Sequence, residues 1–148
     1  MGLDATDTRI LAVLMGNARL SYRQLGKHLK LSAATVMTRV KQLEQGGVIK
    51  GYAARLDYDK LSYDVMVLIE MRISRGKLLE VEKKIAAHPN VVAIYDHTGA
   101  FDALVVARFK SRKSMDQFLK KLQTYDFVER TETSLVLNTT KEILLTPV

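Results

Sequence analysis

The chain has 148 residues, of which 47% are hydrophobic and 26% charged, with no cysteine and a formal net charge of +7. That balance describes a soluble globular protein long enough for two small domains, and it excludes disulfide scaffolds and thiolate chemistry. No apolar run approaches the roughly 18 residues of a membrane span, and no charged-then-apolar leader opens the sequence, so a cytoplasmic protein without membrane partners is expected.

Leu3-Asp4-Ala5-Thr6-Asp7 predicts the start of a helix, with Asp4 as cap and Asp7 adding negative charge to the first turn. Ile10, Leu11, Val13 and Leu14 supply its buried face, and Gly16 to Leu20 breaks it. Ser21-Tyr22-Arg23-Gln24 has the capping-box form and starts a second helix with Leu25 and Leu29 inward. A short turn through Lys30 leads to a third helix, for which Ser32 is the expected cap. Val36, Val40 and Leu43 then recur at spacings of four and three, giving one narrow apolar stripe. Opposite that stripe lie Ala34, Thr38, Lys41 and Gln45, flanked by Thr35, Met37 and Gln42. This outward face is small at its tip, then hydroxylic, amide-bearing and basic, and it carries no acid. Short residues let a helix approach base edges, and hydroxyl, amide and cationic groups read them. Gly46-Gly47 ends the helix, and Val48 to Tyr52 reads as a short strand or wing. Two short capped helices joined by a tight turn, packed on a first helix, make a helix-turn-helix.

Charge points to the same part of the chain. Residues 1–52 hold eight Lys/Arg against three Asp/Glu, or +5, whereas residues 53–148 hold fifteen against thirteen, or +2. A basic excess concentrated in one domain suits a polyanionic partner, although solvated basic surfaces are common.

Ala53 to Tyr63 is expected to be an interdomain linker, with a β-capable stretch at Ala54 and Leu56 that can pair with a partner chain, followed by the polar turn Asp57-Tyr58-Asp59-Lys60. From Asp64 a second domain begins. Val65, Val67, Ile69, Met71 and Ile73 share one face of a strand; Met66, Leu68, Glu70 and Arg72 share the other. Leu78, Val81 and Ile85 mark a helix that stops near His88-Pro89-Asn90. Val91 to Thr98 is a strand, Gly99 to Asp102 a turn and Ala103 to Phe109 another strand. Ser114-x-x-Gln117 reads as a capping box for a helix with Met115, Phe118, Leu119 and Leu122 inward. Val128 to Thr139 alternates as a last strand, with Thr131, Thr133, Leu135 and Leu137 on one face. The expected class is therefore α+β: a winged helix-turn-helix over residues 1–52, a linker over 53–63, and a ferredoxin-like βαββαβ sandwich over 64–148. Two helices cover only one face of such a sheet, yet both faces are partly apolar. A homodimer through the uncovered face, with two reading helices related by a two-fold axis, is the simplest resolution.

The order of motifs resembles the leucine-responsive regulatory protein/asparagine regulator (Lrp/AsnC) family of transcription factors. The resemblance runs through Leu3-Asp4-x-x-Asp7-x-x-Ile10-Leu11, Asn17-Ala18-Arg19, and Leu31-Ser32-x-x-Thr35-Val36-x-x-Arg39-Val40-x-x-Leu43-Glu44. It continues through Gly47 to Tyr52 and, in the second domain, Thr98 to Asp102. The family linker usually reads Asp-Pro-x-x-Leu-Gly; here Tyr58 and Ser62 replace the Pro and the Gly. The resemblance implies a regulator of amino-acid metabolism whose second domain binds a small effector and builds dimers and higher homo-oligomers. It places an amino-acid effector at Thr98, Gly99, Ala100, Phe101 and Asp102, with Thr133 contributed by a neighbouring chain. Glycine lets backbone N–H groups approach a carboxylate, and an aspartate can receive an ammonium, which is compatible. From the residues alone the turn reads as a plain hairpin with a turn-favouring Gly and Asp, and only the resemblance raises effector binding above that.

For double-stranded DNA, Ala33, Ala34, Thr35, Thr38, Lys41 and Gln42 are assigned to the groove-facing surface. Ser21 and Ser32 with their following N–H groups, and Arg23, Lys27 and Lys50, are assigned to phosphates. Arg39 can reach a phosphate or pair with Asp7. Neither a cofactor nor a metal is expected: His28, His88 and His97 are scattered at surface or loop positions. No nucleophile elbow, phosphate loop or paired acids suggest an enzyme, and the strands lack the aromatics of an RNA-binding sheet. The alternatives kept open are a nonspecific, chromatin-like DNA binder and an effector sensor without a dedicated operator.

Overall fold

Each N-terminal helix begins at the cap its sequence offers. In the computed structural model, which describes residues 2–142 apart from the side chains of residues 81 and 82, α1 spans Ala5–Gly16, α2 Tyr22–Leu29 and α3 Ala33–Gln45. Asp4 and Asp7 form a reciprocal box: the Asp7 N–H donates to Asp4 Oδ1 at 2.8 Å and the Asp4 N–H to Asp7 Oδ2 at 3.1 Å. Ser21 and Gln24 do the same for α2, and Ser32 Oγ accepts from the Thr35 N–H at 3.0 Å. Between α2 and α3 the chain turns at Lys30, whose φ of 58° is left-handed, and Arg9 donates to the Leu29 carbonyl at 3.2 Å. Gly26 makes this turn possible, because a Cβ there would sit 2.6 Å from the Leu31 oxygen. The core joins Ile10, Leu11 and Leu14 to Leu25, Leu29, Val36, Val40 and Leu43.

Gly47, at φ 70°, closes α3, with the Val48 N–H bonded to the Leu43 carbonyl at 2.9 Å. The expected strand at residues 48–52 does not form, nor does one at Ala54 and Leu56. A strand needs a ladder partner, and among the described residues this chain supplies none. Ile49 instead packs on the helical core, and the Tyr52 hydroxyl donates to Glu44 Oε1 at 2.8 Å.

The boundary between the two units falls between Arg55 and Leu56. In the second unit, β1 (Val65–Ile73), β2 (Val91–Asp96), β3 (Ala103–Phe109) and β4 (Val128–Leu135) form one antiparallel sheet in the order β2-β3-β1-β4. With α4 (Leu78–Ala86) and α5 (Arg112–Leu122), this is the expected βαββαβ sandwich. Val67, Ile69, Met71 and Ile73 meet Ala103, Val105, Ala107 and Phe109 in a fully buried face, covered by Ile85, Phe118 and Leu122. Met66, Leu68, Leu104 and Val106 point the other way; they are half-buried and belong to neither core. Thus Val105 faces the helices and Leu104 does not.

Several expected boundaries shift. The strand β2 ends at Asp96, not Thr98, and β4 ends at Leu135, not Thr139. Among the described residues, pairing of β4 continues only through the bond from the Val136 N–H to the Met66 carbonyl, and Leu137, 91% exposed, is not part of the strand face. The cap of α5 is Ser111, not Ser114, since Ser111 Oγ accepts from the Ser114 N–H at 3.1 Å. Ser111 lacks the Glu or Gln three residues on that the box pattern needs, but its hydroxyl alone caps the helix one turn earlier. His88 is half-buried against the Phe118 ring, with centroids 4.6 Å apart, and this burial pushes its pKa down. The expected inward side chain of Val81 lies outside the described residues. No described helix is long and apolar enough to cross a membrane.

The second half of the expected linker is built structure. The Tyr63 N–H donates to the Tyr58 carbonyl at 2.8 Å, and Ser62 takes φ 61°. Arg108 lies 5.0 Å from the centre of the Tyr58 ring and Lys110 the same distance from that of Tyr63.

Candidate nucleic-acid interface and effector turn

Burying Val36, Val40 and Leu43 fixes the rotation of α3 and leaves its other face to solvent. Ala33, Ala34, Thr35, Thr38, Lys41 and Gln42 are all exposed. The Thr38 hydroxyl donates to the Ala34 carbonyl at 3.0 Å, so its oxygen lone pairs and methyl remain for a ligand. Thr35 and Ser32 hydroxyls lie 2.8 Å apart. Ser21 and Ser32 are spent on capping their helices, while Arg23, Lys27 and Lys50 stand exposed.

An open cleft of about 680 Å³ lies along this face, lined by Asp4, Ala34, Thr35, Thr38, Arg39 and Gln42 among others. Arg39 is held there by two acids: Nη1 is 2.5 Å from Asp4 Oδ2 and 2.9 Å from Asp7 Oδ1. The Asp7 N–H and the Arg39 guanidinium hold the Asp4 carboxyl below the usual carboxylate range, and the bonds of Arg39 to the Asp4 and Asp7 carboxylates raise its own pKa. Of the two roles open to Arg39 from the sequence, the geometry displays the ion pair. That pair neutralises acids bordering a surface that would otherwise repel phosphate.

No sequence motif predicts the contact between Tyr52 and Glu44. Partial burial and the adjacent carboxylate push the Tyr52 hydroxyl up to about 12. The only sequence signal is a Tyr shortly beyond the Gly46-Gly47 stop, at the distance a reversing chain needs to return to α3.

At the second candidate site, Thr98, Gly99, Ala100 and Asp102 are exposed and Phe101 is half-buried. Gly99 has φ 135°, a conformation that side-chain-bearing residues rarely adopt. Asp102 is anchored on three bonds. Its Oδ2 accepts from the Ile73 N–H at 2.8 Å, its N–H donates to the Met71 carbonyl at 2.9 Å, and its carbonyl accepts from the His97 N–H at 3.2 Å. The Arg130 guanidinium lies 5.6 Å from the Phe101 ring centre. Thr133 is exposed on β4 opposite Ile69, two positions along β1 from Met71, and is not beside the turn of its own chain.

Known proteins share both halves of this arrangement. Residues 3–50 match the family described as winged helix-turn-helix DNA-binding, and residues 65–144 match the Lrp/AsnC ligand binding domain. An HTH-type transcriptional regulator of Pyrococcus furiosus is 39% identical over 142 residues, covering 96% of each chain. The HTH-type transcriptional regulator FL11 of Pyrococcus horikoshii is 32% identical, covering 99% of this chain and 97% of its own. Among solved structures, E. coli AsnC superposes with a TM-score of 0.92 at 29% identity, covering 99% of this chain and all of AsnC. A transcriptional regulator from Neisseria meningitidis, solved in complex with L-Met, gives a TM-score of 0.89 at 29% identity, covering 99% of this chain and 96% of that one. These relatives are transcriptional regulators, not enzymes. The chain belongs to the Lrp/AsnC family of transcriptional regulators, with a DNA-binding helix-turn-helix unit and a ligand-binding unit.

Proposed function

We propose that this regulator is sequence-specific, reading duplex DNA with the outward face of α3 and responding to an amino acid bound at Gly99 to Asp102. The observation that carries the first part is the α3 face itself: it is fully exposed, has a two-alanine tip, and carries Thr35, Thr38, Lys41 and Gln42 with no acid among them. Lys27, Arg23, Lys50 and the N–H groups that follow Ser21 and Ser32 then serve as sequence-independent phosphate contacts. Arg39 acts indirectly, by neutralising Asp4 and Asp7.

Support for the second part is the L-Met complex of the Neisseria relative, together with what Asp102 has left to offer. Oδ2 is occupied by Ile73, but a carboxylate has about four acceptor positions, so the same group can also take an ammonium. Backbone N–H groups near Gly99 suit the ligand carboxylate. In this reading the protein is a cytoplasmic homodimer, joined through the sheet face of Met66, Leu68, Leu104 and Val106 and assembling further, and Thr133 reaches the effector from a neighbouring chain.

The experiment is to select an operator from random duplexes, then compare binding to it and to scrambled DNA. Thr38→Ala and Gln42→Ala should each weaken operator binding by about 1–3 kcal/mol and scrambled binding much less. Lys27→Ala should weaken both and lower the salt dependence by about one unit. Equal losses on both DNAs in all three variants would instead favour a nonspecific, chromatin-like binder.

A further inference from the structure

The second unit carries its positive charge in one place. Lys110, Arg112, Lys113, Lys120 and Lys121 face only Asp116 in this segment, a net +4, while the rest of residues 53–148 hold ten Lys/Arg and twelve Asp/Glu, a net −2. Ser111 caps α5 here, and Phe118 and Leu122 bury its other side in the core. That packing turns Lys113, Gln117, Lys120 and Lys121 outward, and all four are exposed; Arg112, one heptad before the core-packed Leu119, is exposed because it lies at the start of the helix. Lys120 is paired with Asp116 at 2.7 Å and Lys110 lies over the Tyr63 ring.

We propose that this exposed face of α5 is a second DNA-contacting surface, one that grips the phosphate backbone without reading sequence. It takes the helix-turn-helix unit's DNA binding as given and does not depend on which α3 side chains read bases.

Three observations select duplex DNA as the occupant. First, a helix of 11 residues is about 16 Å long, and that length of duplex axis carries about ten phosphate charges. The cations at the two ends of α5, Arg112 and Lys113 at one and Lys120 and Lys121 at the other, can therefore each meet phosphates of the same duplex. Second, the apolar stripe of α5 is spent on the core, so the helix has nothing to insert into a membrane, and the outward face bears no aromatic on which single-stranded bases would stack. Third, Arg112 and Lys113 occupy the first turn, where the helix dipole disfavours cations, and no acid offsets them there. Cations held at a local electrostatic cost gain a reason if a polyanion meets them.

The test uses the full-length protein with Arg112→Gln and Lys113→Gln combined, titrated onto a long duplex containing the selected operator across a salt series. Each phosphate that the variant no longer neutralises should lower the slope of log affinity against log salt by about 0.9. Wild type should then weaken by about tenfold more than the double variant between about 50 and 200 mM salt. The charge-conserving pair Arg112→Lys and Lys113→Arg should keep the wild-type slope. Thermal melting of the glutamine variant should be unchanged or slightly raised, because the first-turn repulsion is gone. An unchanged slope in that variant, in an assay where Lys27→Gln lowers it by about one, overturns the proposal. The reading role of α3 would survive that outcome, since it is judged by the operator-to-scrambled ratio.

Discussion

The carboxylate of Asp102 reaches 29 residues back along the chain to accept the Ile73 N–H at 2.8 Å. Ile73 sits where the β1–β4 register shifts, so the bond satisfies a backbone donor at an irregular point of the ladder. Asp102 therefore holds the sheet as well as being the proposed receptor for an ammonium, and the two roles can be separated. Asp102→Asn keeps an acceptor for Ile73 but loses the charge; it should retain wild-type melting while effector affinity falls by about ten- to a hundredfold. Asp102→Ala removes both and should also destabilise the domain by about 1–2 kcal/mol. Calorimetric titration of amino acids, with thermal melts of both variants, distinguishes these outcomes. Full effector affinity in Asp102→Asn would leave the residue purely structural.

Gly26 is a second point where backbone meets backbone. Alanine there would place its Cβ 2.6 Å from the Leu31 oxygen, and no flexible side chain is available to yield. Gly26→Ala should cost about 1–3 kcal/mol despite the better helix propensity of alanine. Because the strain falls on the α2–α3 turn, DNA affinity should drop more than that of an equally destabilised variant elsewhere in the core. Urea unfolding combined with fluorescence anisotropy on operator DNA measures both.

The two faces of β3 should respond in opposite ways to one charge. Val105 is fully buried under the helices, so Val105→Asp should prevent folding. Leu104 lies on the uncovered face, and Leu104→Asp should give a folded monomer with much weaker operator binding. Sedimentation and circular dichroism read the two properties independently. A dimeric, tight-binding Leu104→Asp protein would rule out assembly through this face.

Tyr52 sets an alkaline limit on the DNA-binding unit. Its pKa is raised to about 12 from an ordinary 10, so the neutral form is favoured in the folded state. The associated stability is complete below about pH 10 and is lost as pH rises towards 12. Tyrosinate absorbance should show one hydroxyl ionising near 12 in the folded protein. In Glu44→Gln it should ionise earlier, although burial keeps part of the shift. A midpoint for Tyr52 near the ordinary 10 would mean that the bond to Glu44 is absent in solution.

What the sequence made legible was local. Asp4, Ser21 and Ser32 cap where their spacing says, because a cap bonds the backbone of the next three residues; at α5, where two serines compete, Ser111 takes the role expected of Ser114. The stripe of α3 was readable because helical periodicity leaves one rotation that buries Val36, Val40 and Leu43 together. Contacts across long separations were not. The bond from Ile73 to Asp102 depends on β1 and β3 becoming neighbours, and no local pattern encodes it. Which face of β3 is covered was ambiguous because Leu104 and Val105 are both apolar. Replacement of the family's linker glycine by Ser62 is resolved differently: the position still takes a left-handed φ, which serine tolerates at some cost. Residues 48–52 look like a strand by composition, but pairing needs a partner that this chain does not supply among the described residues.

The helix-turn-helix core, separate from the core of the sheet, has a thermodynamic consequence. Its eight buried apolar residues serve about fifty residues of chain, near the lower limit at which a domain holds itself folded without outside help. Two cores of unequal size need not melt together, so a single denaturation midpoint for the whole protein can hide an early transition in the smaller one. Any DNA that binds only the folded helices adds to their stability in proportion to the logarithm of its free concentration over its dissociation constant. A protomer off its site is then the one most exposed to local unfolding and proteolysis, and occupancy of DNA prolongs the life of the regulator that provides it.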